Sequence, residues 1–420
     1  MGAIDPFLDH MAEKNASDLY FTTGAPPSVK IDGVTRPITR SVLKPGSIKE
    51  IAYEIMSEEQ RSRFERYLEM NLGLTRETGR FRVNIYFQRG EVSMVVRYIK
   101  SQIPGINDLG LPRVLEDIVM LKQGLILVVG STGSGKSTSL AAMLENRNNR
   151  KTGHILTVED PIEYLFTHDK SIIGQREVGL DTLSYENALR EAMREAPDVI
   201  MIGEIRDRRT MEAAISYADT GHLCLSTLHA VNAYQALDRI INMFPPDAKN
   251  QVLMDLSLNL NSIVSQRLVQ GKTGVRYPAV EVMIRSPYIA ELIRRGDIHE
   301  IKDIMAKGGR DGMQTFDQSL YELYKANKIE LETALENADS RGDLEWQINF
   351  GGGAGKLTMN DEADALEMPT MLDPGITQLN QNRPKSEGEG SSAEAPKQDA
   401  APPKLDETVV IKPGDSPLNS

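Results

Sequence analysis

The octapeptide Gly130-Ser131-Thr132-Gly133-Ser134-Gly135-Lys136-Ser137 constrains this chain more than any other feature. It satisfies the pattern G-x-x-x-x-G-K-[ST], follows directly on the apolar run 125–129, and precedes the helix-forming run 140–144. Strand, glycine-rich loop and helix in that order make a phosphate cradle. The glycines let the backbone N–H groups of Ser131, Thr132, Gly133, Ser134 and Gly135 wrap the phosphate oxygens. Lys136 brings charge to the β and γ oxygens, and the Ser137 hydroxyl, with Thr138 next to it, is placed to bind Mg²⁺. The helix N-terminus adds a partial positive charge at the same place.

Three further apolar strands run out into polar residues. Residues 155–158 lead into Glu159-Asp160-Pro161-Ile162-Glu163, residues 199–202 into Gly203-Glu204, and residues 223–228 into His229. Short, continuously apolar strands separated by helices are the mark of a parallel sheet covered on both faces, so the fold class is α/β. In such sheets ligands bind outside the carboxyl ends of the strands, and the four polar ends are expected to converge on one nucleotide. His222 precedes the last of these strands, and about 3.3 Å per residue puts it roughly 20 Å from His229. It is therefore a candidate for a subunit contact or for coupling, not for the same phosphate.

The carboxylates do not sort themselves into roles. Glu204 stands where phosphate-loop enzymes usually carry an Asp that supports Mg²⁺, but Gly203 precedes it. Glu204 through water, Ser137 and Glu159 are the candidate metal ligands. Glu163, re-aimed by the turn at Pro161, is the preferred general base, and Glu204 is the rival. Arg80, Arg82 and Arg97, on two paired strands at 81–87 and 92–99, are candidate cationic groups supplied across a subunit boundary. Glu186, Arg190 and Arg194, spaced four apart, read as a surface ion-pair ladder.

Upstream of the nucleotide-binding part, residues 1–100 read as a small α+β module. It has a helix near Asp5, strands at 19–23 and 28–32, and an amphipathic helix across 47–68. Residues 101–113, rich in Pro and Gly, read as a linker, and 114–350 as the enzyme domain. Of the net charge of −12, half falls in residues 351–420, which carry 12 acidic and 6 basic residues and no aromatic. That segment is expected to be a disordered acidic tail, with the apolar patch Thr408-Val409-Val410-Ile411 inside it.

A single cysteine, Cys224, excludes a four-cysteine zinc module and any disulfide framework within one chain. The acidic balance gives no support to a nucleic-acid partner. No apolar run approaches the ~18 residues that cross a bilayer, and residues 1–16 lack the apolar stretch of a signal peptide, so a cytoplasmic location is expected.

The blocks 130–138, 155–164, Gln175-Arg176-Glu177-Val178-Gly179, Gly203-Glu204-Ile205-Arg206-Asp207 and 220–229 resemble those of the secretion ATPases. Within them the chain is similar to the twitching-motility retraction ATPases of type IV pili, the PilT/PilU family. The likeness runs from about residue 17 to about residue 344. It implies a PAS-like N-terminal domain, a RecA-like ATPase domain and hydrolysis of ATP with Mg²⁺. It also implies a homo-hexameric ring in which arginines matching Arg80, Arg82 and Arg97 face a neighbour's phosphates. Glu163 and Glu204 match the family's two catalytic-site glutamates, and His222 and His229 its box histidines. The implied partner is the platform protein of the pilus machine, reached peripherally at the inner membrane. The stretch 291–300 stands in place of the A-I-R-N-L-I-R-E signature expected of PilT, and residues 337–340 and the extended C-terminus resemble the accessory, PilU-like branch, which works alongside PilT. The competing readings are a pilus-extension or type II secretion ATPase, against which the single cysteine argues, a nucleic-acid translocase, and a non-catalytic subunit of a motor complex.

Overall fold

The computed structural model describes residues 2–307 and 312–350. The expected tail 351–420 and its patch at 408–411 lie outside these residues.

Six strands form the first sheet: β1 (Asp18–Phe21), β2 (Ser28–Ile31), β3 (Val34–Pro37), β4 (Glu69–Arg76), β5 (Gly79–Gln88) and β6 (Glu91–Ile99). Their order is β3-β2-β1-β6-β5-β4, and every pairing is antiparallel. Because successive side chains alternate between faces, Phe81, Val83 and Ile85 of β5 are buried under the helices while Arg80 and Arg82 share the opposite face. Arg82 sits directly across from Arg97 on β6, and Arg97 across from Asp18 on β1.

The helix expected across 47–68 is two helices, Ser47–Glu54 and Glu58–Tyr67. Ser57 interrupts them. Its side chain accepts from the Gln60 N–H while the Gln60 side chain accepts from the Ser57 N–H, a capping box that starts the second helix and ends the first. The sequence reading also passes over β4, whose Met70, Leu72 and Leu74 alternate inward with exposed neighbours, and the wholly exposed edge strand β3.

Residues 101–113 contain neither helix nor strand. Beyond them lies the seven-stranded sheet of β7 (Gly124–Val129), β8 (Gly153–Glu159), β9 (Ser171–Glu177), β10 (Val199–Ile202), β11 (Leu223–Leu228), β12 (Leu260–Gln270) and β13 (Arg276–Ile284). The order is β13-β12-β7-β11-β10-β8-β9, parallel except for the β12–β13 pair. Alternate residues of β7 feed two cores. Leu125, Leu127 and Val129 pack with the helices Arg208–Asp219, Ala233–Asn242 and Lys249–Asn259, while Ile126 and Val128 pack with the helix Lys136–Arg150. The doubly covered α/β sheet read from the sequence is what the structure has. Cys224 lies in the middle of it, fully buried between Leu125 and Ile200, and burial pushes its thiol well above the usual range.

Candidate functional site

A cleft of about 460 Å³ opens at the carboxyl ends of β7, β8, β10 and β11. The loop after β7 contributes Thr132, Gly133, Gly135, Lys136, Ser137 and Thr138. The other three strand ends contribute Glu159, Glu163, Glu204 and His229, so the expected convergence is present. Ser131 and Ser134 do not line the cleft. Gly135 adopts φ 92°, a left-handed conformation suited to glycine, at the start of the helix Lys136–Arg150. A side chain at Gly130 would meet Ser134 Oγ at 2.4 Å and the Gln266 carbonyl oxygen at 2.5 Å, so only glycine fits between the loop and β12.

Lys136 Nζ donates to the carbonyls of Gly130, at 3.1 Å, and Ser131, at 2.9 Å, which folds the ammonium onto its own loop. Burial holds its pKa below the usual lysine range, and the nearby Glu204 and Glu163 carboxylates partly offset that shift. Thr138 Oγ1 and the Tyr164 hydroxyl are 3.0 Å apart, which joins the loop's helix to the segment after β8.

The three glutamates are in different chemical states. Glu159 is buried and accepts from Thr157 Oγ1 at 2.7 Å and from Gln175 Nε2 at 3.3 Å, and burial pushes its carboxyl up to about 7. Glu204 is engaged at both oxygens, by His229 Nε2 at 2.8 Å and by Arg206 Nε at 2.6 Å. Arg206 also reaches Asp160, at 3.3 Å. Glu163 is exposed to the cleft.

The glycine at position 203, just before Glu204, has a steric cause. A Cβ there would lie 3.0 Å from the Tyr185 hydroxyl, 3.2 Å from Glu159 Cα and 3.3 Å from the Val158 carbonyl oxygen.

Arg80, Arg82 and Arg97 do not line this cleft. Arg80 lies 3.9 Å from Asp181, Arg82 lies 3.7 Å from Glu177, and Arg97 pairs with Asp18 at 2.9 Å. His222, at the far end of unbroken β11, stays with Thr220 Oγ1 and the Tyr217 carbonyl, away from the cleft as its spacing requires. The ladder expected among Glu186, Arg190 and Arg194 does not form. Glu186 pairs with Arg209, and both arginines turn to Glu191; Arg194 lies past the end of the helix at Ala192.

Sequence reasoning gave no role to Arg206, Tyr185 and Arg276, which also line the cleft. Arg206 had a local signal, two residues beyond Glu204. Tyr185 and Arg276 arrive from distant segments and had none.

Comparison with known proteins agrees with this geometry. The family model described as type II/IV secretion system protein matches residues 2–330. The type IV pilus ATPase PilU of Pseudomonas aeruginosa is 50% identical over 83% of this chain and 91% of its own length. The type IV pilus retraction ATPase PilT of the same organism is 40% identical over 80% and 98%. The solved structure of the pilus retraction motor PilT with bound ADP superposes with a TM-score of 0.76 at 41% identity, covering 82% of this chain and 99% of that one. Glycine-rich loop, converging carboxylates and matched length together place the chain in the type II/IV secretion system protein family, as an ATPase of its type IV pilus retraction branch.

Proposed function

We propose that this chain is the accessory, PilU-type subunit of the pilus retraction motor, a homo-hexameric ATPase that works with PilT. It acts from the cytoplasm on the inner-membrane platform protein at the base of the pilus. The reading rests on one observation above all: four strand ends bring Lys136, Ser137, Glu159, Glu163, Glu204 and His229 to a single cleft beside the phosphate loop. In this reading residues 1–100 are the N-terminal domain, 101–113 the linker, 114–350 the ATPase domain and 351–420 an appended tail.

Lys136 leaves its loop carbonyls for the phosphates of ATP, a short rotation of a side chain already at the cleft. The donor set suits Mg²⁺, which takes one or two protein oxygens and fills its remaining positions with phosphate and water. Ser137 and, through water, Glu204 would hold it, with Glu159 behind them. The cation would neutralise charge developing on the phosphates. The exposure of Glu163 supports it as the base that takes the proton of the attacking water, since both Glu204 oxygens are already held, one by His229 and one by Arg206. His229 orients Glu204. Arg80, Arg82 and Arg97 complete the site from the first sheet, across a subunit boundary.

Phosphate release by the purified full-length protein tests the motor reading. With ATP and Mg²⁺ the wild type is expected to turn over and Lys136→Ala to be inactive, and equal rates would overturn it. The accessory role is tested by retraction under load in cells lacking this chain, with and without PilT. Loss of every retraction event on removal of this chain alone would make it the principal motor instead.

A further inference from the structure

Glu177, at the end of β9, is only 1% exposed, yet its two oxygens serve different parts of the molecule. Oε2 accepts from the Ile162 N–H at 3.4 Å, one residue before Glu163. Oε1 is buried with no hydrogen bond, and it faces Arg82 Nη1 of the first sheet at 3.7 Å, close enough for attraction and too far for a bond.

Asp181 repeats the arrangement beside it. It accepts from the Glu177 N–H at 2.9 Å and lies 3.9 Å from Arg80. Leu180, between the two acids, comes within 3.6 Å of where a Cβ on Gly73 would stand, so the β4–β5 hairpin rests on this loop. Burial pushes the Glu177 carboxyl up, and Arg82 is the strongest group pulling it back. A buried carboxylate that stays charged requires such a partner, and an incompletely satisfied oxygen marks a pair ready to change partners.

We infer that Glu177 is a positioning residue that holds Arg82, and through Asp181 Arg80, away from the triphosphate until nucleotide draws these arginines off. The inference rests on the proposal that these arginines serve ATP. The carboxylates and the phosphates compete for the same guanidinium groups, so the ion pairs set how much ATP is needed to recruit the arginines. The shared contact with Ile162 places this competition one peptide from Glu163, and movement of Arg82 is felt by the loop that carries the base.

The test compares KM and kcat for ATP in the full-length protein. Glu177→Gln keeps an oxygen for the Ile162 N–H and removes the charge that holds Arg82. It is expected to lower KM roughly three- to tenfold, the worth of one partly buried pair, with kcat within about twofold of wild type. Asp181→Asn is expected to lower KM less, and it keeps the test alive if the first variant folds poorly. In an Arg82→Gln background, read by binding of a fluorescent ATP analogue, Glu177→Gln is expected to leave nucleotide affinity where it was, which a purely structural role for Glu177 would not predict. Unchanged KM in both single variants, a fall in kcat at constant KM, or the same effect with Arg82 already removed would overturn the inference. Failure of the wild type to hydrolyse ATP would instead overturn the motor reading.

Discussion

Glu163 and Glu204 share one cleft, but both Glu204 oxygens are engaged, by Arg206 and His229, while Glu163 is exposed. Removing a general base typically costs 10² to 10⁴ in rate. Glu163→Gln is therefore expected to lower kcat by at least about 100-fold while nucleotide affinity holds, as read by phosphate release and by binding of a fluorescent ATP analogue. If Glu163→Gln retains most of its turnover and Glu204→Gln does not, the roles are reversed. Glu159 gives a second test. Its folded pKa of about 7 lies above the ordinary value of 4.5, so the folded state holds the proton more tightly and Glu159 favours folding most below pH 4.5. That contribution is lost as pH rises toward 7, and above it a buried charge is left. Glu159→Gln should raise the melting temperature at pH 8, by up to an effect on the order of 3 kcal/mol, and change little at pH 5. An equal shift at both pH values would refute this. At this scale the sequence announced groups that sit in one local motif, such as Lys136 and Ser137. It was silent on Tyr185 and Arg276, because nothing local says that a distant segment will fold over the cleft.

Among the elements, the parallel strands were legible because β7, β10 and β11 are buried on both faces and read as unbroken apolar runs. The exposed edge strand β3 presents no apolar pattern, and β12 hides behind the buried polar residues Ser262, Ser265 and Gln266. The helix across 47–68 failed for another reason. Helical spacing of apolar residues continued through a capping sequence, and the cap decided the matter. Just past the run where β8 and β10 lie side by side, a Cβ on Gly203 would have three close neighbours, and two of them are backbone atoms that cannot swing aside. Gly203→Ala is expected to destabilise the protein by about 1–3 kcal/mol in urea unfolding. It should also slow turnover by moving Glu204, and a variant as stable and as active as wild type would show that the pair has slack.

For the molecule as a whole, the proposed role of the first-sheet arginines across a subunit boundary is tested by mixing two variants. Lys136→Ala lacks a working loop but keeps its arginines, and Arg82→Ala has the reverse defect. If arginines act across a subunit boundary, mixing these two inactive proteins should restore part of the ATPase rate through mixed rings. No recovery at any mixing ratio would assign Arg82 to the nucleotide of its own chain.

The separation of the first sheet from the ATPase core is open to optical measurement, owing to Cys224. The chain's one native thiol is sealed between β7 and β10, and burial raises its pKa. Maleimide dyes should pass it by, so one cysteine engineered into the β4–β5 hairpin and another near Asp181 would carry a donor–acceptor pair without background. Fluorescence transfer between them would then report in real time whether ATP changes that separation.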